Sequence, residues 1–302
     1  MATLTGGSEA EYQSASDYLK HCYDIPDSFP PLPPADEPFV DCWEWRRETE
    51  GAEQEKSEVH GRKVLEFLAE GLGLHAGDFP WDNPSELRLG FVQTLAGRLP
   101  VITTGSHADF RRMEALVNGR GDALELPVTV NAFTIQARAK KIRRHRLILL
   151  NHAPYSNIPA KALGLAEEDW IARSRRLRLR HECAHYETLR LLGGMENHAL
   201  DEIVADAMGQ IAAFGDFDAD RQRLFFGLTR GKSGCTGRLS FYCQTVHPEE
   251  RDEAYRAVDE VLDGVAVELG RFMRDGNSEI ELLKLLAGRS VLERTEPQSS
   301  HA

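Results

Sequence analysis

The stretch 179–189, Leu-Arg-His-Glu-Cys-Ala-His-Tyr-Glu-Thr-Leu, constrains the fold more than any other part of this 302-residue chain. It is free of proline, repeats apolar residues at Leu179, Cys183, Tyr186 and Leu189, and is followed by Gly193-Gly194, a pair suited to a left-handed helix terminus. The spacing predicts a helix with that apolar stripe on one face. His181 and His185 lie off the stripe, four residues apart, which on a helix places them about 40° apart around the axis and about 6 Å along it. Two imidazoles so placed can reach one metal ion. Glu182, about 100° round from His181, is displaced from joint ligation but can reach a water at such an ion.

A metal held by two histidines needs a third protein ligand. A second helix is predicted with Asn197 as its N-cap, Leu200, Ile203, Val204, Ala207, Met208 and Ile211 on its apolar face, and Gly215 after its end. Glu202 and Asp206 share the opposite face of that helix. Beside them Ala205 and Gly209 are small enough to let another helix approach closely. Glu202 is the expected third ligand, with Asp206 accepting a hydrogen bond from the non-ligating nitrogen of His181. His198, four residues before Glu202, is the rival third ligand. In this arrangement zinc is the expected ion and Glu182 the general base.

His181-Glu182-x-x-His185 followed by Glu202-x-x-x-Asp206 resembles the gluzincin group of zinc metallopeptidases, and Glu202-Ile-Val-Ala-Asp206 is similar to the ExxAD pattern of several such families. The wider context also resembles an uncharacterised group of bacterial HExxH proteins. The resemblance rests on about 26 residues and implies a metallopeptidase-like core in which two histidines and a downstream glutamate hold zinc and the motif glutamate is the base. The interval from His185 to Glu202 is a little shorter than in thermolysin-like enzymes, and the longer metzincin motif is absent. Such enzymes also need a donor for the oxyanion of the tetrahedral intermediate. Tyr242 is the first choice, with Arg238 and His247 as alternatives. An edge at Asn131-Ala-Phe133 or Asn151-His152 could receive an extended peptide by strand addition.

Around this core the pattern predicts an α+β fold: mainly helical, with a small β-sheet preceding a zincin-like active-site helix and a helical C-terminal half. Residues 1–57, proline-rich between Ser28 and Pro38, are expected to be an extended arm anchored by Phe39, Trp43 and Trp45. Residues 58–294 are the expected catalytic domain. Helices are predicted at Val64, Leu65, Phe67 and Leu68, at Leu87, Phe91 and Leu95, and at Phe110, Met113, Leu116 and Val117, with a short strand at 100–103. The sheet is expected at about 126–151, the metal-site helices at about 166–214 and further helices at 217–294, one of them starting at Pro248. Residues 295–302 are the expected flexible tail.

Lys and Arg number 36 against 48 Asp and Glu, a net charge of −12, which argues against nucleic acid or an anionic membrane as partner. Residues 138–180 run the other way, with 12 basic residues against three acids, a local +9. That block is either a solvated face or a docking surface for an acidic substrate or partner. Five scattered cysteines, no signal-like start and no long apolar run lead to the expectation of a reduced, cytoplasmic protein with no membrane span. Gly227-Leu-Thr-Arg-Gly-Lys-Ser233 has one residue too few between its glycines for a phosphate loop, and Cys183 is expected in the core rather than at the metal. The function expected from the whole is a zinc-dependent hydrolase of peptide or amide bonds. The alternative is a non-catalytic, zinc-stabilised regulatory or scaffold protein docking through 138–180.

Overall fold

A computed structural model describes residues 11–29, 81–120, 122–123, 129–139, 143 and 145–295. The expected helix at Val64 to Leu68, the arm residues Phe39, Trp43 and Trp45, and the last seven residues of the tail lie outside the described residues. In chain order the elements are α1 (Ala15–Leu19), β1 (Arg88–Thr94), β2 (Gly97–Thr104), α2 (His107–Val117), β3 (Ala132–Gln136), β4 (Arg146–Asn151), α3 (Glu167–Leu191), α4 (Ala199–Phe214), α5 (Ala219–Phe226), α6 (Leu239–Tyr242), α7 (Arg251–Arg274), α8 (Glu279–Ala287) and α9 (Val291–Thr295). The fold is a mainly helical α+β arrangement, with the sheet before the long helix α3. The described residues fall into two compact units: those between Pro30 and Ala153 form one, and those up to Phe29 join those from Pro154 onward in the other.

The first unit holds a four-stranded mixed sheet in the order β1-β2-β4-β3, antiparallel at its two outer pairs and parallel between β2 and β4. Arg146–Asn151 is the β-branched and leucine run that the sequence marked as a strand, and Leu147, Ile148 and Leu149 are fully buried. Leu87, Phe91 and Leu95 are not helical, contrary to the predicted periodicity. Leu89 falls between the first two, so the segment also reads with period two, and Leu87, Leu89 and Phe91 pack on the same core as Phe110 and Met113. The hairpin decides between the two periods: Gly97 turns with φ 116°, and the Thr94 hydroxyl donates to the Gly97 carbonyl at 2.5 Å while accepting from the Ala96 amide at 3.1 Å. Asn151 lies on β4, which is paired on both sides, so it offers no free edge for strand addition.

The second unit is helical. Residues 11–29 pack against it rather than forming an extended arm. Tyr12 makes a parallel bridge to Val246, and Tyr18 and Leu19 of α1 are buried. Its core includes Trp170, which stacks on Phe225 at 6.1 Å and donates from Nε1 to the Ile158 carbonyl at 2.6 Å. Truncating such a residue to Ala typically costs about 3–5 kcal/mol.

Helix α3 begins with Glu167, Glu168 and Asp169 and ends with Arg190, charges that complement its dipole. Every residue from His181 to Thr188 is buried, so the helix is covered on all sides there and the one-sided stripe was too narrow a reading: Leu179 and Leu189 are half-buried, and Leu177 and Leu191 are buried in their place. Helix α4 is likewise buried all round from Ala199 to Gln210. Its cap is His198 rather than Asn197, because the imidazole Nδ1 accepts the orphan Leu200 amide at 3.0 Å. Gly215 ends it with φ 85°. The helices α3 and α4 meet closely at Gly209, where a Cβ would stand 2.8 Å from the Leu177 carbonyl oxygen. At the expected start of the long C-terminal helix, Pro248–Glu250 is a single 3₁₀ turn and α7 follows it.

Candidate metal centre

The close approach at Gly209 sets the polar face of α4 against the histidines of α3. His181 Nε2 and His185 Nε2 stand 2.9 Å apart, Glu202 Oε1 is 3.4 Å from His185 Nε2, and Glu202 Oε2 is 3.6 Å from His181 Nε2. All three side chains are buried. These atoms form a group that could hold a metal ion. The donor set fits zinc: tetrahedral ligation at 2.0–2.1 Å places ligand atoms about 3.3 Å apart, and two nitrogens with one carboxylate oxygen leave the fourth position open. Two imidazole nitrogens facing each other beside a carboxylate need a cation, or shared protons, between them.

The free nitrogen of His181 is tied down. Nδ1 lies 2.8 Å from Asp206 Oδ1, so this nitrogen carries the proton and Nε2 presents its lone pair to the cluster. Asp206 is fully buried and accepts four donors: His181, the Tyr155 hydroxyl at 2.5 Å, Gln222 Nε2 at 2.5 Å and Arg238 Nη2. Burial opposes its charge, but Arg238, His181 and Tyr155 outweigh burial and hold the carboxyl well below the usual range. Gln222 is itself held by Gln210 at 2.7 Å. His185 has no such support, its Nδ1 being without a hydrogen-bond partner among the described residues.

Electrostatics of the metal-free cluster follow from these contacts. Burial disfavours a charged His185, yet the Glu202 carboxylate, aided by Glu182 and Asp201, raises its pKa to about 9. Burial likewise works against ionised Glu202, and His181, His185 and Arg238 pull its pKa down. Arg238 Nη1 donates to Glu202 Oε2 at 3.0 Å, and the guanidinium lies over the rings of Tyr155 and Phe226. Burial, together with the negative charges of Glu202 and Asp206, keeps the Tyr242 hydroxyl protonated. Glu182 is buried on α3, close enough for its charge to act on His185 and on Arg178.

The fold therefore brings His181, Glu182, His185, Glu202, Asp206, Arg238 and Tyr242 together. It takes His198 out of the ligand set. His198 is not a third ligand, because Nδ1 accepts the Leu200 amide and Nε2 donates to the Tyr18 carbonyl at 2.8 Å. The same two bonds take His198 out of a second group within ligand distance, His21, His198 and Asp201. His247 pairs through its backbone, its amide donating to the Tyr12 carbonyl at 2.9 Å. Tyr155 and Gln222 were missed by the sequence reading. Tyr155 sits in a loop between two prolines, at a left-handed turn where Ser156 and Asn157 have φ 50° and 57°, and nothing local in the sequence ties it to His181.

Of the remaining motifs, the glycine-rich loop follows helix α5, and its Gly231 amide donates to Asp259 Oδ2 at 2.8 Å, a carboxylate where a phosphate loop needs room for phosphate. Cys183 is buried and its thiol is pushed up to about 12 by that burial, which suits a core residue. Within the basic block, Arg173 donates to the Ala213 carbonyl, Arg178 to the Pro154 carbonyl, and Arg180 pairs with Glu187, while Arg175 and Arg176 are exposed. Among the described residues no helix is long and apolar enough to cross a membrane.

A family model described as a family of unknown function (DUF7005) matches residues 130–284, just over half of the chain and all of the cluster. No curated protein and no solved structure matches it.

Proposed function

The chain belongs to the DUF7005 family, whose description assigns no function, and from the site itself we propose a gluzincin-like, zinc-dependent hydrolase of peptide or amide bonds. The observation that supports it is the triangle of His181 Nε2, His185 Nε2 and Glu202, with Asp206 fixing the tautomer of His181 from behind. His181, His185 and Glu202 would hold the ion. Its contribution when bound is Lewis acidity, which makes a water acidic near neutral pH and polarises a carbonyl.

The chain's own residues do the rest. Glu182 accepts the water proton as the water oxygen bonds to the carbonyl carbon. It then returns that proton to the amide nitrogen as the C–N bond breaks, leaving an amine and a carboxylic acid. Tyr242, kept protonated, donates to the oxygen that gains negative charge. Asp206 holds His181 in the ligating tautomer.

Elemental analysis of protein purified without chelators tests this reading. The wild type is expected to hold about one zinc per chain, His185→Ala and Glu202→Ala to lose most of it, and Glu182→Gln to keep it while losing turnover of peptide or acyl-amide substrates. Folded wild type that takes up no zinc overturns the proposal. Zinc retained in Glu182→Gln with turnover unchanged removes Glu182 from the chemistry, and zinc-loaded wild type that turns over no such substrate returns the scaffold alternative.

A further inference from the structure

The residue at this centre with most to spare is Arg238. A guanidinium carries five N–H donors. One goes to Glu202 Oε2, one goes to Asp206 Oδ2, and Nε–H is buried without a hydrogen-bond partner. Two terminal N–H groups remain, with no hydrogen bond to any described residue. The side chain is 20% exposed, against 5% for Glu202 and 0% for Asp206, so it is the cation through which this cluster meets solvent. Tyr155, Phe226 and Tyr242 lie against it at 5.0, 5.3 and 6.0 Å, which holds the guanidinium in place.

The ligand side chains are only 7%, 10% and 5% exposed, which suits the end of a chain better than a polypeptide lying across the site.

We propose that Arg238 is a substrate-recognition residue, whose two remaining terminal N–H groups bind a carboxylate next to the scissile amide. The substrates are then peptides cleaved at their C-terminal residue, or N-acyl amino acids, rather than internal peptide bonds. This deepens the hydrolase reading and rests on it.

The test uses the full chain as zinc-loaded Glu182→Gln, in which binding is read without turnover. Pools of N-acetylated dipeptides, with every natural residue in the last position, are offered as free acids and as the matching C-terminal amides. The acids are expected to bind at least about tenfold tighter, in line with a hydrogen bond to a charged partner. Adding Arg238→Lys, which keeps the charge and loses the fork, is expected to cut the acid preference several-fold, and Arg238→Gln to abolish it. The comparison in Glu182→Gln alone stands even if the Arg238 variants fail to fold. Equal binding of acids and amides, or binding of neither, in zinc-loaded protein overturns this inference while the hydrolase reading stands. Absence of zinc overturns the hydrolase reading itself.

Discussion

Gly209→Ala tests whether the contact between α3 and α4 sets the metal site. The new Cβ would stand 2.8 Å from the Leu177 carbonyl oxygen, 3.3 Å from Leu177 Cγ and 3.2 Å from Leu177 Cδ2. The leucine side chain can turn away, but the carbonyl belongs to the backbone of α3. Restoring ordinary contact at 3.4 Å requires the helices to part by 0.6 Å there. Metal sites tolerate about 0.2 Å in ligand distance. A parting of this size, carried along α4 to Glu202, therefore exceeds what the His-His-Glu triangle absorbs. Overpacking costs about 1–3 kcal/mol and the gain in helix propensity returns about 1 kcal/mol, so a net loss of about 1 kcal/mol is expected. Zinc affinity should fall about tenfold or more, the scale seen when supporting contacts of a metal site are lost. Gly264→Ala on α7 is the control, because a Cβ there meets nothing within 4 Å. It should gain close to 1 kcal/mol and leave the metal untouched. Denaturant melts and competitive zinc titration read both quantities. A Gly209→Ala protein that is stabilised like Gly264→Ala, with zinc affinity unchanged, refutes the reasoning.

Asp206→Asn leaves the His181 tautomer unsupported and the half-buried Arg238 short of one counter-charge, so zinc affinity should drop about 10- to 100-fold, measured by chelator competition. In the metal-free protein the pKa of His185 is raised from 6.5 to about 9, so its contribution to stability is complete below pH 6.5 and is lost as pH rises through about 9. Melting temperatures across pH 6–10 should therefore fall with pH in chelator and much less with zinc. Zinc binding near pH 7.5 should release a proton, seen by calorimetry in buffers of different ionisation enthalpy. Ser156→Gly relieves a left-handed φ of 50° and should stabilise the chain by about 0.5 kcal/mol in a denaturant titration, since the steric relief slightly exceeds the entropy glycine adds.

What could be read from the sequence about this site is what lies within one or two helices. The four-residue interval puts His181 beside His185, the same interval puts Glu202 beside Asp206, and Gly209 marks a close helix contact, all from the 3.6-residue period alone. The strand at Arg146–Asn151 and the left-handed glycine after α4 follow from equally local rules. Where two periods fitted one stretch, as at Leu87 to Phe91, the neighbouring strand and the Gly97 turn decided. His198 belonged to neither the ligands nor the solvent, because the Tyr18 carbonyl, 180 residues away in sequence, took its second nitrogen.

By itself, then, the sequence determined where the two metal-site helices form and which of their polar residues face the same way, since those depend on backbone geometry repeated every few residues. Only the tertiary structure decided what meets those faces. Tyr155, Gln222 and Arg238 reach Asp206 from 51, 16 and 32 residues away in sequence, and the arrangement is held by burial and paired charge. No local spacing encodes such contacts, because burial and charge pairing depend on the packing of segments distant along the chain.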